Sequence, residues 1–101
     1  MDLDRLLLLV AFRHRIAEPD FASGFSRTQT IIGRNLDQAA FRNAVERAMA
    51  DDLIYEPVRI PPCALQCQWC LEVTPAGAAT VQAMADEQQA DIATLIARFA
   101  A

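Results

Sequence analysis

The sequence predicts a mainly α-helical fold that carries one small β-hairpin. Residues 37–50 repeat apolar side chains at helical spacing, at Phe41, Ala44, Val45, Ala48 and Met49. Directly after them, "LIYEPVRI" and "CQWCLEV" are short runs of branched, aromatic and alternating residues, as in two β-strands. A new helix start then follows at Thr74 and Pro75. This order of helix, strand, turn, strand and helix is typical of a winged helix-turn-helix.

The N-terminal segment, residues 1–18, is predicted to be one helix. Asp2 is its candidate N-cap, and Pro19 is expected to stop it. Its leucines and valine are distributed around nearly all sides, so we expect the helix to be buried. Residues 19–25 are predicted to be a loop.

A short second helix is predicted to begin at a capping box formed by Ser26 and Gln29, and Gly33 is expected to end it. Asp37 is the candidate N-cap of the third helix, residues 37–50. The face of this helix opposite its apolar stripe carries polar and small side chains: Ala39, Asn43, Glu46 and Arg47, flanked by Gln38 and Arg42.

The hairpin after the third helix has an asymmetric pattern. Pro57 confines the first strand to a sheet edge or a bulge. The second strand alternates, with Cys67, Trp69, Leu71 and Val73 on one face and with Gln68, Cys70 and Glu72 on the other. The two strands would form a wing joined by "PPCALQ".

The C-terminal segment, residues 75–101, is predicted to be one long helix that mediates dimerisation. Its seam recurs at coiled-coil spacing: Val81, Ala85, Gln88, Ile92, Leu95 and Phe99. We expect this seam to pack with the N-terminal helix across a two-fold axis. The chain is thus predicted to be a single winged-helix domain, with residues 26–74 forming the helix-turn-helix and wing.

Residues 26–77 resemble the winged-helix transcriptional regulators of the MarR and PadR type. The matching residues are Leu53 and Ile54, which follow the third helix and begin the wing, and the step from Thr74 to Gly77. Asp52 stands where those families usually have a glycine. The arginine-rich tip of their wing is replaced here by "PPCALQCQWC", with only Arg59 nearby.

This resemblance implies a homodimer whose third helices enter successive major grooves of double-stranded DNA. By position, Arg42, Asn43 and Arg47, with Gln38 beside them, are the candidates for base edges or adjacent phosphates. Arg27, Arg34 and Arg59 would contact phosphates and fix the register. The alternative is a winged-helix adaptor that binds another protein and does not bind DNA, which the net charge of −4 favours.

The spacing of Cys63, Cys67 and Cys70 reproduces the one by which radical S-adenosylmethionine enzymes hold an iron–sulfur cluster. The chain after Cys70 is too short for the barrel of those enzymes, so we predict no enzyme and no catalytic residue. A reduced alternative is a thiol- or metal-responsive switch, in which these thiolates and His14 or a partner's ligand hold zinc or an iron–sulfur cluster. The preferred interpretation is that the cysteines pack or stay unengaged and bind no cofactor.

Composition points to the cytoplasm and to no membrane association. The apolar run from Leu6 to Val10 is too short to span a bilayer and lacks a signal-peptide cleavage site. Three cysteines without a secretory signal indicate a reducing compartment. All nine basic residues are arginine, the side chain best suited to bidentate contacts with phosphate or guanine.

Overall fold

The computed structural model describes residues 2–59 and 68–101 of the chain. Within these ranges the elements are α1 (Leu3–His14), β1 (Ile16–Glu18), α2 (Phe21–Ile32), α3 (Gln38–Ala50), β2 (Val58–Arg59), β3 (Gln68–Leu71), α4 (Pro75–Gln88) and α5 (Ile92–Ala100). The strands form one antiparallel sheet in the order β1-β3-β2. The prediction of a mainly helical chain with a small antiparallel sheet is confirmed. None of the described helices is long and apolar enough to cross a membrane.

Helix α1 is the centre of the core. Every residue from Leu6 to Ala11 is buried, and Leu6, Leu7 and Leu9 have no exposed surface. The helix packs against α3, α4 and α5 of its own chain. Burying each leucine contributes about 1.5–3 kcal/mol. The prediction that this helix is apolar and buried on nearly all sides is confirmed, and its neighbours belong to the same chain.

The prediction that the first helix continues to residue 18 is wrong. Arg15 takes a left-handed conformation at φ 44°, and its N–H closes the helix on the Ala11 carbonyl. The following residues form β1, in which Ile16 pairs with Leu71 of β3 and is fully buried. Pairing with a strand that is distant in sequence therefore overrides local helix continuation.

Helix α2 begins earlier than the capping-box prediction, and the predicted loop at residues 19–25 is wrong. The Asp20 carboxylate accepts the Ser23 N–H at 2.7 Å and caps the helix there. Ser26 lies inside the helix. Gln29 reaches forward, and its Oε1 accepts the Leu36 N–H at 2.7 Å. The predicted end at Gly33 is confirmed, with φ 78° at that residue.

The strands of the hairpin are shorter than predicted. β2 has two residues at the edge of the sheet, and Ile54 adds an isolated bridge to Val73. Trp69 and Leu71 are buried as predicted for one face of β3, but Cys70 on the other face is buried too. The tip of the predicted wing lies outside the described residues.

An aromatic cluster joins the sheet to α2 and α3. The rings of Phe25 and Phe41 meet edge-on at 5.1 Å, and Phe21 meets Trp69 edge-on at 5.7 Å. Phe41 also lies 6.1 Å from Trp69. Such pairs contribute about 0.5–1.5 kcal/mol each beyond the area they bury. Trp69 therefore seals the hairpin against the core.

The prediction of one helix over residues 75–101 is wrong, although its start, with Thr74 as N-cap and Pro75 in the first turn, is confirmed. Gln89 takes a left-handed conformation at φ 51° and ends α4. Asp91 then caps α5, accepting the Thr94 N–H at 2.8 Å. Because the chain bends here, Val81 and Leu95 both face the core of their own domain and are fully buried.

Candidate nucleic-acid interface

Helix α3 is held at a fixed position relative to α2. Asp37 caps it as predicted, because its Oδ2 accepts the Ala40 N–H at 2.9 Å. The bond between Gln29 and Leu36 fixes the turn between the two helices, and Phe41 is fully buried against the rings of α2. The opposite side of α3 is therefore presented to solvent on a rigid support.

The exposed face of α3 has a polar centre and basic edges. At 100° per residue, Ala39 lies nearest the middle of this face, with Asn43 and Glu46 on either side of it. Arg42 lies at one edge and Arg47 at the other. Gln38, at the first residue of the helix, is exposed as well. Four of the predicted DNA-contacting side chains thus share one helix.

Arg42 is held at the edge nearest the hairpin. Its guanidinium lies over the Phe21 ring, 4.4 Å from the ring centroid, in a cation–π contact. Beside it a groove of about 260 Å³ runs between α3 and the hairpin. Val45, Met49 and Trp69 contribute apolar surface to this groove.

Arg47 is held at the opposite edge, next to α1. Its Nε and Nη2 donate to a single carboxylate oxygen of Asp4, at 3.1 and 2.8 Å. Both side chains remain more than half exposed, at 56% for Arg47 and 57% for Asp4. The contact is therefore accessible, and a surface pair of this kind contributes little to folding stability.

The predicted phosphate contacts lie apart from one another. Arg27, on α2, forms an ion pair with Glu18 of β1, with 3.7 Å between Nε and Oε1. Arg34 follows α2, and its Nη1 donates to the backbone carbonyl of Ala100 at the end of α5. The backbone of Arg59 lies in β2, opposite Gln68 of β3. In the free protein, Arg27 and Arg34 bond to other parts of the same chain.

A second polar region lies on the far side of α2. His14, Glu18, Ser23 and Arg27 line an open cleft of about 660 Å³ between the end of α1, β1 and α2. Partial burial lowers the pKa of His14 below its usual value, and the positive charges of Arg13 and Arg27 lower this pKa further. The ring is therefore held neutral near pH 7.

The described residues contain part of the predicted cysteine cluster. Cys70 is a buried free thiol on β3, while Cys63 and Cys67 lie outside the described residues. Among residues 2–59 and 68–101, no group of three His, Cys, Asp or Glu side chains is arranged to hold a metal ion. The zinc or iron–sulfur alternative stays a prediction.

Comparison with known proteins gives no family. The chain matches no protein-family model, no curated protein and no solved structure.

Two contacts of the α3 arginines are not predicted by the sequence. Asp4 is separated from Arg47 by 43 residues, and no local pattern connects them. Phe21 lies in a segment predicted to be a loop, so no sequence pattern places its ring against Arg42. In each case the packing of α3 against a distant element creates the contact. Asp20 was the available signal, because recognising it as an N-cap would have placed Phe21 on α2.

Proposed function

We propose that this protein is a DNA-binding transcriptional regulator with a winged helix-turn-helix fold. The observation that carries the proposal is the order α1, β1, α2, α3, β2, β3 combined with the sheet order β1-β3-β2. In a winged helix, the strand between the first two helices pairs with the second strand of the wing. β1 was not predicted from the sequence, so its pairing with β3 is independent support.

Helix α3 would act as the recognition helix. Its exposed face is free of the core, and its width suits the major groove. Asn43, near the centre of that face, suits adenine, and arginines at the edges suit guanine or the flanking phosphates. Gln38 would approach the backbone near the helix N-terminus. The resemblance to MarR and PadR regulators, already present in the sequence, supports the same assignment.

The proposal is tested by selecting binding sites from a pool of random duplexes and titrating salt. We expect one sequence motif to be enriched. Asn43→Ala should then weaken binding to that motif by about 1–3 kcal/mol and leave binding to random duplex unchanged. Asn35→Ala is the matched control, because Asn35 is an exposed asparagine in the turn before α3.

An unselective result would contradict the proposal. If no motif is enriched at any salt concentration, α3 is not a recognition helix. If Asn43→Ala weakens random and selected duplexes equally, Asn43 does not read a base.

A winged-helix adaptor that binds protein is the second candidate. The groove between α3 and the hairpin favours it, because Met49 and Val58 are large apolar side chains with exposed surface there. The net charge of −4 also opposes attraction to DNA. A chain that selects no duplex but loses a protein partner on Met49→Glu would be an adaptor.

A homodimer remains part of the proposal, because each α3 would read one half-site. The surface first predicted for it is not available, since Leu95 and Val81 are buried within one chain. Dimerisation would therefore use a surface outside this seam. Light scattering at micromolar concentration measures the assembly state directly.

A further inference from the structure

We infer that Asp4 is a positioning residue for Arg47. It sets which edge of the Arg47 guanidinium faces a base pair when α3 lies in the major groove. The inference rests on the proposed function and deepens it. It assigns a specificity-determining role to a residue of α1, a helix that otherwise forms the core.

The geometry of the pair leaves a defined set of donors. A guanidinium has five N–H groups in a planar fork. Asp4 accepts from Nε and from Nη2 with the same oxygen, Oδ1, so it occupies the side edge of the fork. The end edge, formed by Nη1 and the remaining N–H of Nη2, points away from the carboxylate. Two parallel N–H groups of this kind match O6 and N7 of guanine.

Asp4 is suited to orient Arg47 because its own backbone is rigid. It lies in the first turn of α1, two residues before the fully buried Leu6, which Leu7 follows. Arg47 lies in the last turns of α3, which packs against α1. An arginine held in this way loses less side-chain freedom when it binds a base.

The exposure of the pair separates this role from a role in folding. The Asp4 side chain is 57% exposed. Removal of its carboxylate should leave the domain folded, because exposed ion pairs contribute little to folding stability. It also leaves Arg47 present and charged. A change in sequence discrimination would then report on orientation alone.

The test measures the DNA affinity of three variants, Asp4→Ala, Asp4→Glu and Asp51→Asn. Each is measured on the selected duplex, on the same duplex with its guanine replaced by adenine, and on random duplex. Asp51 lines the same small recess as Asp4 and Arg47, so its variant removes an equal charge nearby. Thermal melting first establishes that each variant is folded.

For Asp4→Ala we expect guanine-over-adenine discrimination to fall roughly tenfold. Binding to random duplex should rise, because a negative charge near the phosphates is lost. Asp51→Asn should raise random binding in the same way and keep discrimination. Asp4→Glu should restore part of the discrimination. In an Arg47→Ala background, Asp4→Ala should cause no further loss.

Two failures are distinguishable. If the wild type selects a motif but Asp4→Ala keeps full discrimination, or Asp51→Asn loses as much, this inference is overturned and the proposed function stands. If the wild type selects no motif, both are overturned.

Discussion

At the scale of single residues, the sequence predicts a helix cap correctly where the capping residue and the backbone group it bonds lie within one turn. Asp37, Thr74 and Gly33 were predicted as helix caps and act as such. The prediction of Ser26 as a cap is wrong because Asp20 offers an equivalent cap six residues earlier. Local chemistry does not distinguish the two. The contact of Trp69 with α2 decides between them, and that contact is not local.

Gly24 shows how closely α2 approaches Trp69. A Cβ added at Gly24 would overlap ring atoms Cε3 and Cζ3 of Trp69, whose side chain is only 5% exposed. Alanine in a helix is otherwise favoured over glycine by about 1 kcal/mol. We expect the overlap to win, so that Gly24→Ala lowers the free energy of unfolding by about 1–3 kcal/mol in urea denaturation.

The matched control for that substitution is Ala22→Ser, at an exposed position of the same helix. It should change the free energy of unfolding by less than about 0.5 kcal/mol. A stabilising effect of Gly24→Ala would show that the indole can move, and that the packing of α2 on β3 is looser than the structure indicates.

His14 gives a prediction about pH. Its pKa is lowered in the folded protein by partial burial and by Arg13 and Arg27, below the ordinary value of 6.5. The unfolded chain therefore takes up a proton first as the pH falls through about 6.5. We expect His14 to contribute a loss of stability below that pH and none above it. In His14→Gln, this part of the decline below about pH 6.5 should disappear in denaturation series. Identical pH profiles for the two proteins would contradict it.

At the scale of elements, the existence of most helices was predictable and their ends often were not. The apolar repeat located α3, and the Thr74–Pro75 signal located the start of α4. The repeat from Val81 to Phe99 is real, but it serves two short helices that bend around α1. A heptad pattern does not show whether an apolar seam faces a partner or its own core. The left-handed turn at Gln89 ends α4 and bends the chain, so the seam faces its own core.

Leu95 distinguishes these two uses of the seam. It has no exposed surface within one chain, on the α5 face that packs against α1. We expect Leu95→Glu to cost at least the roughly 2–5 kcal/mol typical of Leu→Ala, because it also buries a charge. The protein should lose its folded circular dichroism or melt at much lower temperature.

Ala97→Glu is the control, since Ala97 is exposed on the same helix. It should stay folded. A Leu95→Glu variant that is a stable, folded monomer while the wild type is a dimer would show that the seam serves dimerisation after all.

At the scale of the whole molecule, the sequence predicted a mainly helical chain with a small antiparallel sheet, but not the third strand of that sheet. Four helices and a hairpin are predicted, but the last of these helices is two, α4 and α5, and β1 lies in a segment predicted to be helix. β1 becomes a strand because Ile16 and Glu18 pair with Leu71 and Trp69, more than fifty positions later in the chain. The apolar repeat that predicts α3 also defines its opposite, polar face. The candidate site could therefore be predicted together with the helix. The internal partners of its arginines required the tertiary structure.

Those internal partners limit how strongly this molecule can depend on salt when it binds DNA. On the exposed face of α3, Arg42 lies over the Phe21 ring and Arg47 pairs with Asp4, while Arg27 and Arg34 bond to Glu18 and to the Ala100 carbonyl. Each neutralised phosphate contributes a slope of about −0.9 in the logarithm of affinity against the logarithm of salt.

If Arg42 supplies the phosphate charge while Arg47 reads a base, the slope should be roughly −1 for one chain and −2 for a homodimer. Arg27→Gln should then leave the slope unchanged, and Arg42→Gln should reduce it. Affinities measured across a salt series on the selected duplex give both values. A slope near −8 that falls on Arg27→Gln would mean that DNA draws Arg27 away from Glu18, and that the binding surface extends across α2 and the His14 cleft.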